Sequence, residues 1–433
     1  MGLIVSGRLT PPSHYAEEMP LPRLRHDLDF LPSPVEERPG LLIRDPLGYS
    51  DTTLIVPPLL VQALTFFDGV REEGDLRQFL FEITQDLQSG ELIGYLRQTL
   101  SDAGFLDDEA FAARREARQR EFAQLPVREA LHAGAGYPGD PAQLKTVFDQ
   151  YLSPPTPAGS TITGNGDGAH RSGLIGIAAP HVSPFGGVDA YRAAYAALGP
   201  QYRDRTFVIL GTSHYGMPDL LGLTRKDFST PYGQARTAVD LVTRLERDAG
   251  QAAIVEDYCH AIEHSIEFQV VFLQHLYGPD VRILPVLCGS YARSIYLGGK
   301  PEDSDDVKRI LGALGELAAR EGDRLFWVLG VDMAHIGRRY GDDLAARAHA
   351  GYMTEVAERD RARIRSIETG DAAGFWDQVQ QNRDDLKWCG SSPFYTFLKA
   401  LPEARGELFH YQQWNIDDQS VVSFAGLGFR NSL

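Results

Sequence analysis

From Gly173 onward the chain alternates two kinds of segment. Apolar, β-prone runs occupy Leu174–Ala179, Thr206–Leu210, Val281–Cys288 and Leu325–Val331. Between them, apolar residues recur at helical spacing over Val188–Leu198, Ala235–Asp248, Glu263–Tyr277 and Asp305–Arg320. Continuous apolar strands separated by helices predict a sheet covered on both faces. The expected fold is therefore α/β, with a central, mostly parallel sheet flanked by helices. Glu407–Trp414 and Ser420–Phe429 predict two more strands, and Pro141–Leu152 a further helix.

The pattern before Val127 is different. Residues 1–45 are rich in proline and charge and read as an extended arm. Leu76, Phe79, Leu80 and Ile83 recur at helical spacing, as do Leu92, Ile93, Leu96 and Leu100. Gly104 stands where a helix would end, and residues 107–124 read as a charged helical connector. The expected division is an arm over 1–45, a small helical or winged-helix unit with its connector over 46–126, and the main domain over 127–433. The stretch 153–173, rich in Ser, Thr, Pro and Gly, predicts a surface loop.

Composition narrows the function classes. Of 433 residues, 43% are hydrophobic and 23% charged, which excludes a disordered chain. The 42 basic and 59 acidic side chains give a net charge of −17, the wrong sign for binding nucleic acid or an anionic membrane. No apolar run approaches the ~18 residues of a membrane span, and the opening residues lack a secretory pattern. Three cysteines, Cys259, Cys288 and Cys389, are too few for a disulfide framework, and a reducing, cytoplasmic setting is expected. With 12 histidines, imidazole should dominate any metal site.

Chemistry-bearing residues gather where the strands end, the usual place for sites in such sheets. The first strand runs into Pro180-His181, the second into Ser213-His214, and a later one into Asp332-Met333-Ala334-His335. Each histidine alone has a structural explanation, but three in equivalent positions point to a site. Glu263-His264-Ser265-Ile266-Glu267 opens a predicted helix. There His264 and Glu267 would share one face, while Glu263 and Glu267 also suit a helix start. Cys389 precedes another helix, a place that lowers a thiol's pKa, whereas Cys259 and Cys288 read as structural. The glycine-rich turn His132–Pro138 lacks the Lys-Ser/Thr of a phosphate loop. Neither a Gly-x-Ser-x-Gly elbow nor a His-Glu-x-x-His motif occurs.

The segments HAGAGYPGD, IAAPHVSPFGG, ILGTSHYG, EHSIEFQ, VLGVDMAHIG and WCGSSP follow one another from His132 to Pro393. In this order they resemble the Memo family, also called protein B of the AmmeMemoRadiSam system, over about residues 127–430. The resemblance implies a fold related to the class III extradiol dioxygenases and a metal pocket at the strand tips. It implies His181, His214 and Cys389 as metal ligands, with Asp332 and His335 beside the pocket, where His335 would be a catalytic acid/base group oriented by Asp332. His264 would join them in catalysis, and His132, Tyr137 and Glu267 would contact substrate. Two histidines and a thiolate suit Fe(II) or copper, with zinc as a third candidate. An oxidoreductase acting on a small or peptide-linked substrate is then expected. The rival readings are a peptide-binding scaffold without turnover and a zinc-dependent hydrolase. The family name implies a radical SAM enzyme and an AMMECR1-like protein as partners. After His181 the usual Ala-Gly-Tyr is replaced by Val182-Ser183-Pro184, and Gly136 replaces the usual aromatic before Tyr137. Residues 66–106 resemble, over a short stretch, the peptide-binding winged helix of the PqqD-like type.

Overall fold

The computed structural model describes residues 20–85, 89–153 and 173–432. The start of the expected arm and most of the expected loop (residues 154–172) lie outside them. The chain divides into two compact units, one ending at Glu121 and the other starting at Phe122.

In the first unit, the helices Glu73–Thr84 and Ser89–Asp102 bury Leu76, Leu80, Ile93, Leu96 and Leu100, the positions the helical spacing selects. A three-stranded antiparallel sheet accompanies them, built from Asp29–Pro32, Leu41–Arg44 and Thr53–Val56. Residues 20–45, the described part of the expected extended arm, contribute strands and core residues to this unit. Leu21, Leu28 and Ile43 join its core, and buried Arg25 pairs with Asp27 and Asp45, each at 3.0 Å. Charge and proline disguised these positions, because the arginine's partners make its burial tolerable.

In the second unit, a central sheet carries four parallel strands side by side. Their spatial order is Gly176–Ala179, Leu325–Gly330, Thr206–Thr212, Arg282–Cys288. Successive side chains point to opposite faces of a strand. Accordingly Ile177, Phe207, Ile209, Phe326 and Val328 enter one core, while Ala178, Val208, Leu210, Trp327 and Leu329 enter the other. Both faces are covered, which is why these strands read as unbroken apolar runs. On one face Phe272 stacks against Phe148 and Tyr191, with ring centroids 4.4 Å apart in each pair. The hairpin Ala404–Asp417/Ser420–Asn431 closes one side, its second strand pairing antiparallel with Gly176–Ala179.

Two predicted helices begin later than their spacing suggests. Gly233–Thr237 is a strand paired with Asp227–Thr230, and the helix starts at Val239. The tight reversal at Pro231-Tyr232, followed by Gly233 at φ +123°, pairs these strands locally and outweighs the helical periodicity. Likewise the second helix starts at Glu267, not Glu263. The strand Leu325–Gly330 passes close to the preceding turn. A Cβ on Gly330 would stand 2.1 Å from the Ser265 carbonyl oxygen, which is backbone and cannot swing away. Gly330→Ala is expected to destabilise the protein by about 1–3 kcal/mol, read as a lower urea midpoint at unchanged m-value.

Candidate metal centre

Parallel register brings three polar residues to one end of the sheet. Ala179 lies beside Gly330, and Gly330 beside Gly211. The residues that follow, His181, Asp332 and His214, are thereby neighbours. Cys389 reaches them from the turn before the helix Ser391–Ala400. The backbone of that turn is held: Thr212 Oγ1 donates to the Cys389 carbonyl at 3.0 Å, and the Gly390 amide donates to the Asp332 carbonyl at 3.0 Å. Trp388 is also fixed, its indole donating at 2.7 Å to buried Asp360, which also accepts from Tyr411 and Ser423.

Ligand atoms of His181, His214 and Cys389 all lie within 4.8 Å of one another. The Cys389 thiol is 3.2 Å from His181 Nε2. His181 Nδ1 lies 2.9 Å from the Gly330 carbonyl, so Nδ1 carries the proton and Nε2 is the free donor. His214 is oriented the same way, with Nδ1 3.0 Å from both oxygens of Glu263. The donor set therefore fits a metal, with two imidazoles and a sulfur converging and each imidazole set by an acceptor behind it.

Glu263 is the residue whose place here the sequence did not reveal. Its carboxylate is buried and accepts the amides of His214, His264 and Ser265 at 3.1, 2.9 and 3.2 Å. It also lies 3.3 Å from His264 Nδ1. These amides hold the turn outside the helix, which corrects the expectation that His264 and Glu267 share a helical face. The rings of His181, His214 and His264 are mutually 5.0–5.1 Å apart. His214, Glu263 and His264 form a second group with ligand atoms within 4.8 Å.

Electrostatics follow from burial and pairing. Burial, with His264 and His214 nearby, pushes His181 well below the ordinary imidazole range. Burial alone would do the same to His214, but Glu263 overcomes it and raises that imidazole well above its usual range. Glu263, despite burial, is held well below the carboxylate range by His214. His264 and His335 are each pushed down to about 4, chiefly by burial. Asp332 rises to about 7 for the same reason. The Cys389 thiol is also raised, because burial outweighs its hydrogen bond to His214. The lowered thiol pKa expected from its helix-start position is therefore not found.

The other predicted residues fall in different places. Asp332 faces His181, accepting its amide at 2.9 Å, with the carboxylate 3.5 Å from its Nε2. His335 instead has Nδ1 2.9 Å from the Met333 carbonyl and 3.1 Å from that of Lys387. The expected orientation of His335 by Asp332 is thus replaced by backbone carbonyls. Tyr137 and Glu267, expected against substrate, bind each other at 2.6 Å. Glu267 also accepts the amides of His132 and Leu131 at 2.9 and 3.2 Å and forms a buried ion pair with Arg128. Their polar atoms serve the turn, not the pocket. That turn sets the His132 ring 5.7 Å from His264, where its buried Nε2 has no partner among the described residues.

Arg128 was missed altogether, although a carboxylate heading the buried helix Glu267–Tyr277 calls for a cation. Cys259 and Cys288 are buried, and burial raises both thiols. No described helix is long and apolar enough to cross a membrane.

Comparison with known proteins shows the family. Residues 128–428 match the family model described as Memo-like protein. A MEMO1 family protein of Aquifex aeolicus is 25% identical over 392 residues, covering 90% of this chain and 95% of that protein. MEMO1 family proteins of Pyrococcus furiosus and Thermococcus kodakarensis are 26% and 28% identical, over 71% and 70% of this chain and 100% and 99% of theirs. The Aquifex match is too long to fit within residues 122–433 and so extends into the first unit.

Proposed function

The chain belongs to the Memo-like protein family, and on that premise we propose a redox metal centre of His181, His214 and Cys389 in an oxidoreductase. Its substrate is small or carried on a peptide. The carrying observation is that both imidazoles present Nε2 beside the thiol, with Nδ1 engaged from behind. Three protein donors leave room for a substrate, as in catalytic rather than closed sites. Iron or copper, which a mixed imidazole–thiolate set suits, would supply the electron transfer and O2 chemistry. His264, with its Nδ1 on Glu263, stands beside the donors as the group to take or give a proton, and Asp332 holds His181. A radical SAM enzyme and an AMMECR1-like protein are the proposed partners.

The test is anaerobic reconstitution of untagged protein with Fe(II), Cu(I) and Zn(II). Stoichiometric iron or copper, followed by O2 uptake with a substrate, is the expected result. Zinc alone, retained without O2 uptake, would turn the reading toward hydrolysis. No stoichiometric metal, with a partner bound equally well after Cys389→Ser, would leave a scaffold.

A further inference from the structure

A cavity of about 320 Å³ adjoins the centre, with His214, Cys389, Ser391, Ser392, Arg383 and Lys387 in its lining. Ser391 and Ser392 are 3% and 2% exposed, and neither hydroxyl has a hydrogen-bond partner among the described residues. Buried hydroxyls left unpaired are costly and uncommon. Both belong to the first turn of the helix Ser391–Ala400, which has no side-chain cap and no acidic residue in that turn. The positive end of its dipole is thus not offset locally. Charge points the same way. Asp384 pairs with Arg363 at 2.8 Å and Lys387 with Asp342 at 2.6 Å. Arg383 is exposed and forms no ion pair among the described residues. Of the charges in the lining, Arg383 is therefore the one left over, a match for a single negative charge.

We propose that this cavity seats a carboxylate of the substrate. The guanidinium of Arg383 suits that planar group, and the two hydroxyls would donate to it after rotation about χ1. The remainder of the molecule then lies against His214 and Cys389. The inference rests on the redox reading only for what happens there, since binding of the anion needs no metal.

Calorimetric titration of the full chain with benzoate, benzamide and inorganic phosphate tests it. Saturable benzoate binding is expected, with the uncharged benzamide about tenfold weaker or worse. Arg383→Gln, and separately the double variant Ser391→Ala/Ser392→Ala, should each weaken benzoate about tenfold, and Arg383→Gln should narrow the preference for benzoate over benzamide. Should the double variant fold poorly, Arg383→Gln on its exposed loop carries the test. Absence of benzoate binding, equal binding of benzamide, or wild-type affinity in Arg383→Gln would each overturn the proposal. Phosphate binding more tightly than benzoate would overturn the carboxylate assignment. Benzoate binding by wild-type protein that takes up no iron or copper would sink the redox reading alone.

Discussion

His181→Ala and Cys389→Ser are each expected to lower metal affinity by more than about 100-fold, because removing even a partner behind a ligand costs roughly 10–100-fold. Glu263→Gln belongs to that milder class. It keeps the shape behind His214 but removes the charge that favours a basic imidazole. The expected order of metal retention is wild type, then Glu263→Gln, then the two ligand variants. Metal analysis after dialysis against a chelator gives the ranking, and circular dichroism checks that each variant is folded. Loading should also tighten as pH rises. Burial raises the Cys389 thiol, so a proton must leave as metal binds, and acid opposes that release. Equal retention in all four proteins would remove these residues from the centre.

Arg128→Ala should produce the largest loss of stability, about 3–5 kcal/mol, the usual result of leaving one member of a buried ion pair without its partner. The Arg128 and Glu267 side chains are 1% and 0% exposed. The guanidinium also donates to the carbonyls of His260, Glu129 and Glu263, at 2.8, 2.9 and 2.8 Å. Replacing both partners with apolar residues is therefore expected to recover only part of the loss. The pH dependence has a definite sign. Burial opposes ionisation of Glu267, but Arg128 prevails and holds the carboxyl below its ordinary range. A depressed carboxyl stabilises the fold above its unfolded pKa, and that contribution fades as pH falls toward the folded value. In Arg128→Ala the unpaired carboxylate can instead take up a proton, so the gap from wild type should narrow in acid. Urea titrations at neutral and acidic pH measure both effects. A gap that widens in acid would contradict the assignment.

Much of the strand-tip geometry was legible in the sequence, for a physical reason. Parallel strands covered on both faces leave continuous apolar runs, and the polar residues after them mark where each strand leaves the sheet. His181, His214 and Asp332 stand out on that basis, and Cys389 through the order of the motifs. What stayed hidden depends on contacts distant in sequence. Glu263 lies 49 residues from His214, and Arg128 lies 139 from Glu267. Local spacing gives each acid an adequate explanation at a helix start, so nothing nearby asks for more. Asp332 shows a related effect. Its closeness to His335 in sequence suggests a pair, yet the turn between them aims the carboxylate at His181. The buried part of residues 20–45 was obscured because the signal there is a satisfied arginine rather than an apolar stripe.

The short strand Gly176–Ala179, which delivers His181, has both of its sheet neighbours far downstream, at Leu325–Gly330 and Ser420–Asn431. Its edges cannot be paired in the native way until those segments have left the ribosome. Through most of synthesis the segment leading to the first imidazole is an unpaired, fully apolar strand, of the kind that invites aggregation or a chaperone. The order of assembly is therefore built into the topology. The cluster of His181, His214 and Cys389 can form only late, once the downstream partners of that strand have been made.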